Sequence, residues 1–419
     1  MLIETEIHRT AAARAENISF VLFVLSGIAG VVIMATSVLP FGRGYEMVAL
    51  AENLARHGTY ANPFQVLDTG PTAVNPPLYP LLLSVLFRVF GNYSAFVVLA
   101  ATVANIVVNA LIAAWLPRVS WLFYREIRPG AIAGVLWVFV AQLIPSWDAS
   151  YTMATLLLFC IISAGQPGGE MRLRHSVIAG LLAAASFLFS PTSVLVFLPW
   201  TLWLVFFRRT SSRQAAYLSL SLAIAASIAF MWALRNDREL GHFVVRTGFG
   251  TTLYASNNDC ARPSILEDEG NNCFQAHHPN MSLSDARILR QVGEVEFEHM
   301  RVQDAKAWIG SHPRQFFRLT VARIRDFWFP PLEYRPASAI ATWIATVLSV
   351  PGLLLLVHRR QSIAIFAGTA LLVYPILYYV VISDPRYRYP VLWLTLLLAG
   401  YFVHWLIDRL PVKNRIRFF

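Results

Sequence analysis

The sequence predicts an all-α polytopic membrane protein with two large segments outside the bilayer, the second carrying a minor β component. Composition is the first reason. The 419 residues are 56% hydrophobic and 14% charged, with a mean hydropathy of +0.53, whereas soluble domains carry about a quarter charged residues. The second is length: apolar runs of bilayer-crossing size, about 17–25 residues, recur along most of the chain. The third is where the charge lies. The net charge is +10, yet 234–338 holds 13 basic and 13 acidic residues and is neutral. The excess sits in short clusters between apolar runs, the pattern of topological signals and not of a nucleic-acid surface. Of the 34 basic residues 32 are Arg, so Arg content alone points to no particular site.

The first run, Ile18 to Leu39, is too long for a signal-peptide core and no small-residue cleavage site follows it, so it reads as a retained span. Further apolar segments fall at 95–117, 129–146, 148–165, 176–190, 192–207, 215–233, 339–357, 362–382 and 387–407. Leu78 to Phe90 is shorter and contains Arg88. If it does not cross, one side of the membrane receives Arg118/Arg125/Arg128, Arg172/Arg174, Arg208/Arg209/Arg213, Arg359/Arg360 and Arg409/Lys413/Arg415/Arg417. The positive-inside rule then gives ten spans with both termini cytoplasmic and 78–90 along or dipping into the outer face; boundary error extends the range to 13.

That topology divides the chain into an N-terminal transmembrane module (1–233), an extracytoplasmic segment (234–338) and a C-terminal transmembrane module (339–419). The first module contains the first outer loop, 40–77, and the juxtamembrane helix, 78–90. The outer segment opens with strand-like alternation at His242–Arg246. One helix then starts near Ser284, with Ile288, Val292 and Val295 at helical spacing, and another runs from Pro313 to Trp328. The span interiors are nearly free of ionisable groups; Asn105, Asn109 and Gln142 are the polar exceptions, with His404 near a terminus. Ion-coupled carriers keep acids, bases or His there, so the chain reads as an interfacial catalyst before a transporter.

Candidate chemistry lies on the outer face. Glu46 opens an amphipathic helix (Val48, Leu50, Ala51, Leu54) at the membrane surface. It is either a base or cation ligand, or a first-turn acid favoured by the helix dipole. Asp148, after Pro145-Ser146-Trp147, is either a site acid or the N-cap of the next helix. Arg386 and Arg388 oppose the positive-inside trend. They suit a phosphate held bidentately or an aromatic belt with snorkelling cations. Arg235 and Arg246 are weaker phosphate candidates. His277-His278 lacks the spacing of a zinc site and reads as structural or substrate-contacting. Cys160 packs inside a span. Cys260 and Cys273, thirteen positions apart in the outer segment, are expected to form a disulfide in an oxidising compartment.

Four stretches together resemble the GT-C superfamily of membrane glycosyltransferases, in particular bacterial family 39-like proteins related to protein O-mannosyltransferases and aminoarabinose transferases. They are Tyr45-Glu46-Met47 through Gly58; Thr69-Gly70-Pro71-Thr72-Ala73 with Pro76-Pro77-Leu78-Tyr79-Pro80; Leu234-Arg235-Asn236 with Phe249-Gly250 and Leu253-Tyr254; and Gly293-Glu294 through His312-Pro313 to Phe327-Trp328, with Arg386-Tyr387-Arg388-Tyr389-Pro390. The resemblance implies an inverting transfer from a polyprenyl-phosphate-linked sugar to a lipid, glycan or protein acceptor, at the extracytoplasmic face of a bacterial inner membrane. It implies Glu46 as catalytic base and Asp148 as second acid. Arg386, Arg388, Arg43 and Arg235 would bind the donor phosphate, and Tyr45, Tyr79, His278 and Tyr387 the substrates. Many members carry an acid a few residues before the base, where this chain has Phe41-Gly42-Arg43. Mg or Mn is compatible with the family, though no residue pattern here establishes a metal. The competing readings are a flippase for a lipid-linked saccharide and a scaffold that has lost the base.

Overall fold

The computed structural model describes residues 2–39, 41–42, 44–141, 144–164, 171–208, 211–333 and 335–410. Pro40, Arg43, Gln142, Arg209 and the tail residues Lys413, Arg415 and Arg417 lie outside the described residues. The N-terminal module comprises α1 (Leu2–Thr36), α2 (Glu46–His57), α3 (Leu78–Phe90), α4 (Ala95–Tyr124), α5 (Arg128–Val140), α6 (Ala149–Ser163), α7 (Leu173–Phe189), α8 (Val194–Phe206) and α9 (Ser212–Leu240). The outer segment contributes α10 (Phe249–Ser256), α11 (Ile265–Asp268), α12 (Cys273–Ala276), α13 (Leu283–Val292), α14 (Glu294–Ser311) and α15 (Pro313–Trp328). The chain then adds α16 (Pro336–His358), α17 (Ile363–Val373), α18 (Ile376–Tyr379) and α19 (Tyr389–Arg409).

Each apolar run forms a helix, and the helices differ in length. Among the described residues five helices are long and apolar enough to cross a bilayer: Ala15–Thr36, Ala95–Tyr124, Ser212–Leu240, Pro336–His358 and Pro385–Arg409. The helix α5, with 13 residues, reaches only about 20 Å at about 1.5 Å per residue, short of a hydrocarbon layer of about 30 Å. The ten expected spans correspond to five long helices and to shorter apolar helices beside them. Chain breakers account for the shortening: α7 stops before Pro191 and α17 before Pro375.

The helix α19 is the core of the bundle. Of its most apolar stretch 72% is buried, against 17–44% for the other four long helices, and it packs on α5, α6, α16 and α17. Close approach needs small residues: a Cβ on Gly400 would lie 2.1 Å from the Pro129 carbonyl oxygen, and one on Gly352 2.2 Å from that of Leu398. The outward faces stay apolar, as at Val347, Val350, Leu354 and Val357 of α16. That is the surface a lipid-facing helix requires.

In the first outer loop, α2 ends at Gly58, whose φ of 70° favours glycine. The chain then folds back on itself through an isolated antiparallel bridge, Ala61 to Pro71. Met47, Val48 and Ala51 of α2 pack on Tyr79, Leu83 and Phe87 of α3. The other face of α3 (Leu81, Leu82, Val85, Val89) is apolar and exposed.

The outer segment departs from expectation in its β content. His242–Arg246 forms no strand: Val244 and Val245 carbonyls accept from the side chains of Asn236 and Trp232, which leaves no ladder. Among the described residues β structure is limited to the bridge above and a parallel one between Ser264 and Ser383. The latter ties the outer segment to the approach to α19 through Ile265 N–H to Ser383 O (3.1 Å) and Ser383 N–H to Pro263 O (2.8 Å). The helix expected near Ser284 is capped by Ser282, breaks at Gly293 (φ 88°) and resumes as α14. The one expected at Pro313–Trp328 has those bounds.

Candidate active site

Glu46 occupies the first turn of α2, where unpaired N–H groups favour a carboxylate. Because the following turn buries Met47 and Val48, the acid is left at the edge of the first loop, facing the outer segment. His278 meets it there, its Nε2 3.9 Å from Glu46 Oε1, with side chains 11% and 15% exposed.

Asp148 has N-cap backbone position for α6, but its carboxylate makes no capping bond. The structural alternative for this acid is therefore not realised. It receives a long contact of 3.4 Å from the Thr152 hydroxyl and lies within electrostatic reach of Arg246 and Arg386.

Trp147 joins the pieces. The Tyr45 ring meets it edge-on at 5.9 Å, and the Arg386 guanidinium carbon sits 3.6 Å from its centroid, well inside cation–π range. Asp384 steers that guanidinium, its Oδ2 3.2 Å from Arg386 Nε. Residues adjoining Glu46, Asp148 and α19 thus meet at one ring. Trp147 was not singled out from the sequence, and its position between Pro145 and Asp148 was the available signal. Burial raises the Tyr45 phenol, with Arg386 opposing and Asp384 and Glu46 adding to the rise.

Other expected site residues are committed elsewhere. Arg388 points into the bundle: it donates to the Trp328 carbonyl and Thr346 hydroxyl (both 2.8 Å) and to Thr395 (3.3 Å), and is 3% exposed. As a phosphate ligand it is corrected to a clamp between α15, α16 and α19. Arg235 donates to the carbonyls of Thr72 (2.8 Å) and Tyr60 (2.9 Å) and stacks on Tyr60 and Trp232, so it pins the first loop. Tyr79 is 1% exposed and donates to the Pro145 carbonyl. It supports the turn bearing Asp148 and has no surface for a substrate. Tyr387 stacks on Tyr378 at 4.7 Å, against the bundle. Arg246 is exposed, with its Nε on the Val74 carbonyl at 3.0 Å; it replaces Arg388 as the second cation near Asp148.

Cys260 and Cys273 are joined by a disulfide. Its closure holds α12 beside the site, and a loop of this size contributes about 3 kcal/mol. Cys273→Ser is expected to lower the thermal midpoint by several degrees, measured by tryptophan fluorescence in detergent; an unchanged midpoint would refute that role.

The sequence also concealed a buried acid. Glu294 accepts from the Thr72 hydroxyl, the Ala73 N–H (2.8 Å) and the Thr247 hydroxyl, locking the first loop to α14. Burial raises its carboxyl above the usual glutamate value, opposed by those three donors. A raised folded value means the native state holds the proton more tightly. The group's stabilisation is thus complete below the unfolded value, about 4.5, and is lost as pH rises through the folded one. The thermal midpoint of the wild type relative to Glu294→Gln is expected to fall as pH rises from about 4.5; a pH-independent difference would contradict it.

Ligand geometry for a metal is not assembled at Glu46. Among the described residues the cluster of three ligating side chains is Cys260, Cys273 and His277, and its two sulfurs are spent on each other.

The bundle and its two large connecting segments share their fold with solved oligosaccharyltransferases. Among the solved structures that the chain resembles are oligosaccharyltransferases of Archaeoglobus fulgidus. The apo form aligns with a TM-score of 0.57 at 13% identity, over 94% of this chain and 51% of that one. The complex with Zn and sulfate gives 0.55 at 11%, over 94% and 49%. The oligosaccharyltransferase AglB, in complex with an inhibitory peptide and a dolichol-phosphate, gives 0.53 at 12%, over 93% and 50%. The chain therefore spans about half the length of these proteins. By sequence, no family model and no curated protein matches it.

Proposed function

We propose that this protein transfers a sugar from a polyprenyl-phosphate-linked donor to an acceptor at the extracytoplasmic face of the membrane. The observation that supports the reading is the meeting of Tyr45, Trp147 and Arg386, three residues from separate chain regions of which two directly adjoin Glu46 and Asp148 in sequence. Glu46 takes the proton of the acceptor hydroxyl as its oxygen attacks the anomeric carbon. The bond from that carbon to the phosphate oxygen breaks, inverting the centre. Arg386 and Arg246 stabilise the charge gathering on the departing lipid phosphate. Asp148 lies within electrostatic reach of both cations. A lipid-linked donor suits this geometry because its sugar lies at the surface while its tail stays in the bilayer. The fold it shares with an oligosaccharyltransferase solved in complex with a dolichol-phosphate supports a lipid-phosphate carrier.

The test is reconstitution in proteoliposomes with radiolabelled polyprenyl-phosphate sugars and a mixture of lipid and peptide acceptors. Transfer should release lipid phosphate and label an acceptor. Movement of intact donor across the vesicle would instead make the protein a flippase, and neither outcome would leave it a scaffold.

A further inference from the structure

We propose that His278 is a positioning residue for Glu46: its Nε2–H holds one carboxylate oxygen so that the other faces the acceptor hydroxyl. The assignment rests on the transferase reading above. Its first support is a tautomer. The backbone N–H of Asn280 donates to His278 Nδ1 at 3.2 Å, so a neutral imidazole carries its proton on Nε2. That nitrogen is the one directed at Glu46 Oε1, 3.9 Å away. A closure of about 1 Å would bring the pair to hydrogen-bond distance.

The ring is also clamped. Phe274 stacks on it at 5.5 Å and Phe64 meets it edge-on at 5.9 Å, leaving His278 9% exposed. The clamp is anchored in turn: the Phe274 N–H donates to Asp268 Oδ2 at 2.9 Å, and the neighbouring Cys273 is disulfide-bonded.

The segment after His278 straps the first loop on both flanks of the acid. Asn280 Nδ2 donates to the Gly44 carbonyl at 2.7 Å, and its Oδ1 accepts from the Gln65 N–H at 3.1 Å. A histidine serving packing alone would not need its free N–H turned toward a carboxylate across two chain segments. His277 does not share the role, since its ring lies against Tyr254 and the disulfide.

The test compares His278→Phe, which keeps the ring and loses both nitrogens, with His278→Gln, whose amide N–H can reach the Nε2 position. In the transfer assay His278→Phe should lower kcat by about 10–100-fold with donor KM little changed, the size of effect a misplaced reacting group produces. His278→Gln should recover most of that loss. A kcat within twofold of wild type for His278→Phe, or equal losses in both variants, would overturn the assignment. An arm independent of transfer uses ¹⁵N-histidine-labelled protein in nanodiscs. The His278 signals should report a bare Nδ1 and a protonated Nε2, with the Nε2 signal shifted by Glu46→Gln. An unshifted signal rejects the coupling even if no donor is ever found, whereas absent transfer with a shifted signal rejects only the transferase reading.

Discussion

Glu46→Gln is expected to reduce sugar transfer in proteoliposomes by about 10²–10⁴-fold, the range a general base supplies. The amide has nearly the shape of the carboxylate and cannot take a proton. Donor binding should survive, because Arg386 lies on α19's approach and is held by Asp384 and Trp147, not by Glu46. Glu46→Asp should fall between, with the carboxylate withdrawn by one methylene from the acceptor. Undiminished transfer by the Gln variant would remove Glu46 from the chemistry and return it to a first-turn acid.

The second large effect separates two arginines that are two residues apart. Arg386→Ala should lower kcat/KM by about 10²–10³-fold, comparable to losing one donor that stabilises developing charge, with the thermal midpoint nearly unchanged. Arg388→Ala should instead abolish folded yield. It leaves the Thr395 hydroxyl without the guanidinium it faces and the Trp328 carbonyl with the Thr346 hydroxyl alone, at about 1–3 kcal/mol for each buried group left without a partner, and it opens a cavity inside the bundle where the guanidinium was. Size-exclusion profiles in detergent and transfer assays distinguish the two. Equal behaviour of the variants would show that the pair acts as one unit, as the sequence pattern alone invited.

The three acid and base candidates differ in how far the sequence could take them. Glu46 stood out because an acid opened an amphipathic helix just past a span, and the fold sets it beside His278. Asp148 was equally readable as a cap, and only the absence of a side-chain capping bond separates the readings. Glu294 was not legible: a glutamate two residues from another in a polar helix looks solvated. Its burial depends on Thr72, Ala73 and Thr247, which the fold brings from far along the chain.

The sequence by itself determined the membrane class, the helix at each apolar run, the Pro313–Trp328 helix and the cysteine pair. Each follows from local composition or from periodicity within one element. Tertiary packing against α19, together with chain breakers, set the lengths of those helices. It also decided which arginine serves which task. Arg386 and Arg388 read alike as residues, yet one lies on Trp147 and the other faces the α15–α16 junction. A side chain's direction is a property of the neighbours it meets, and those neighbours come from distant parts of the chain.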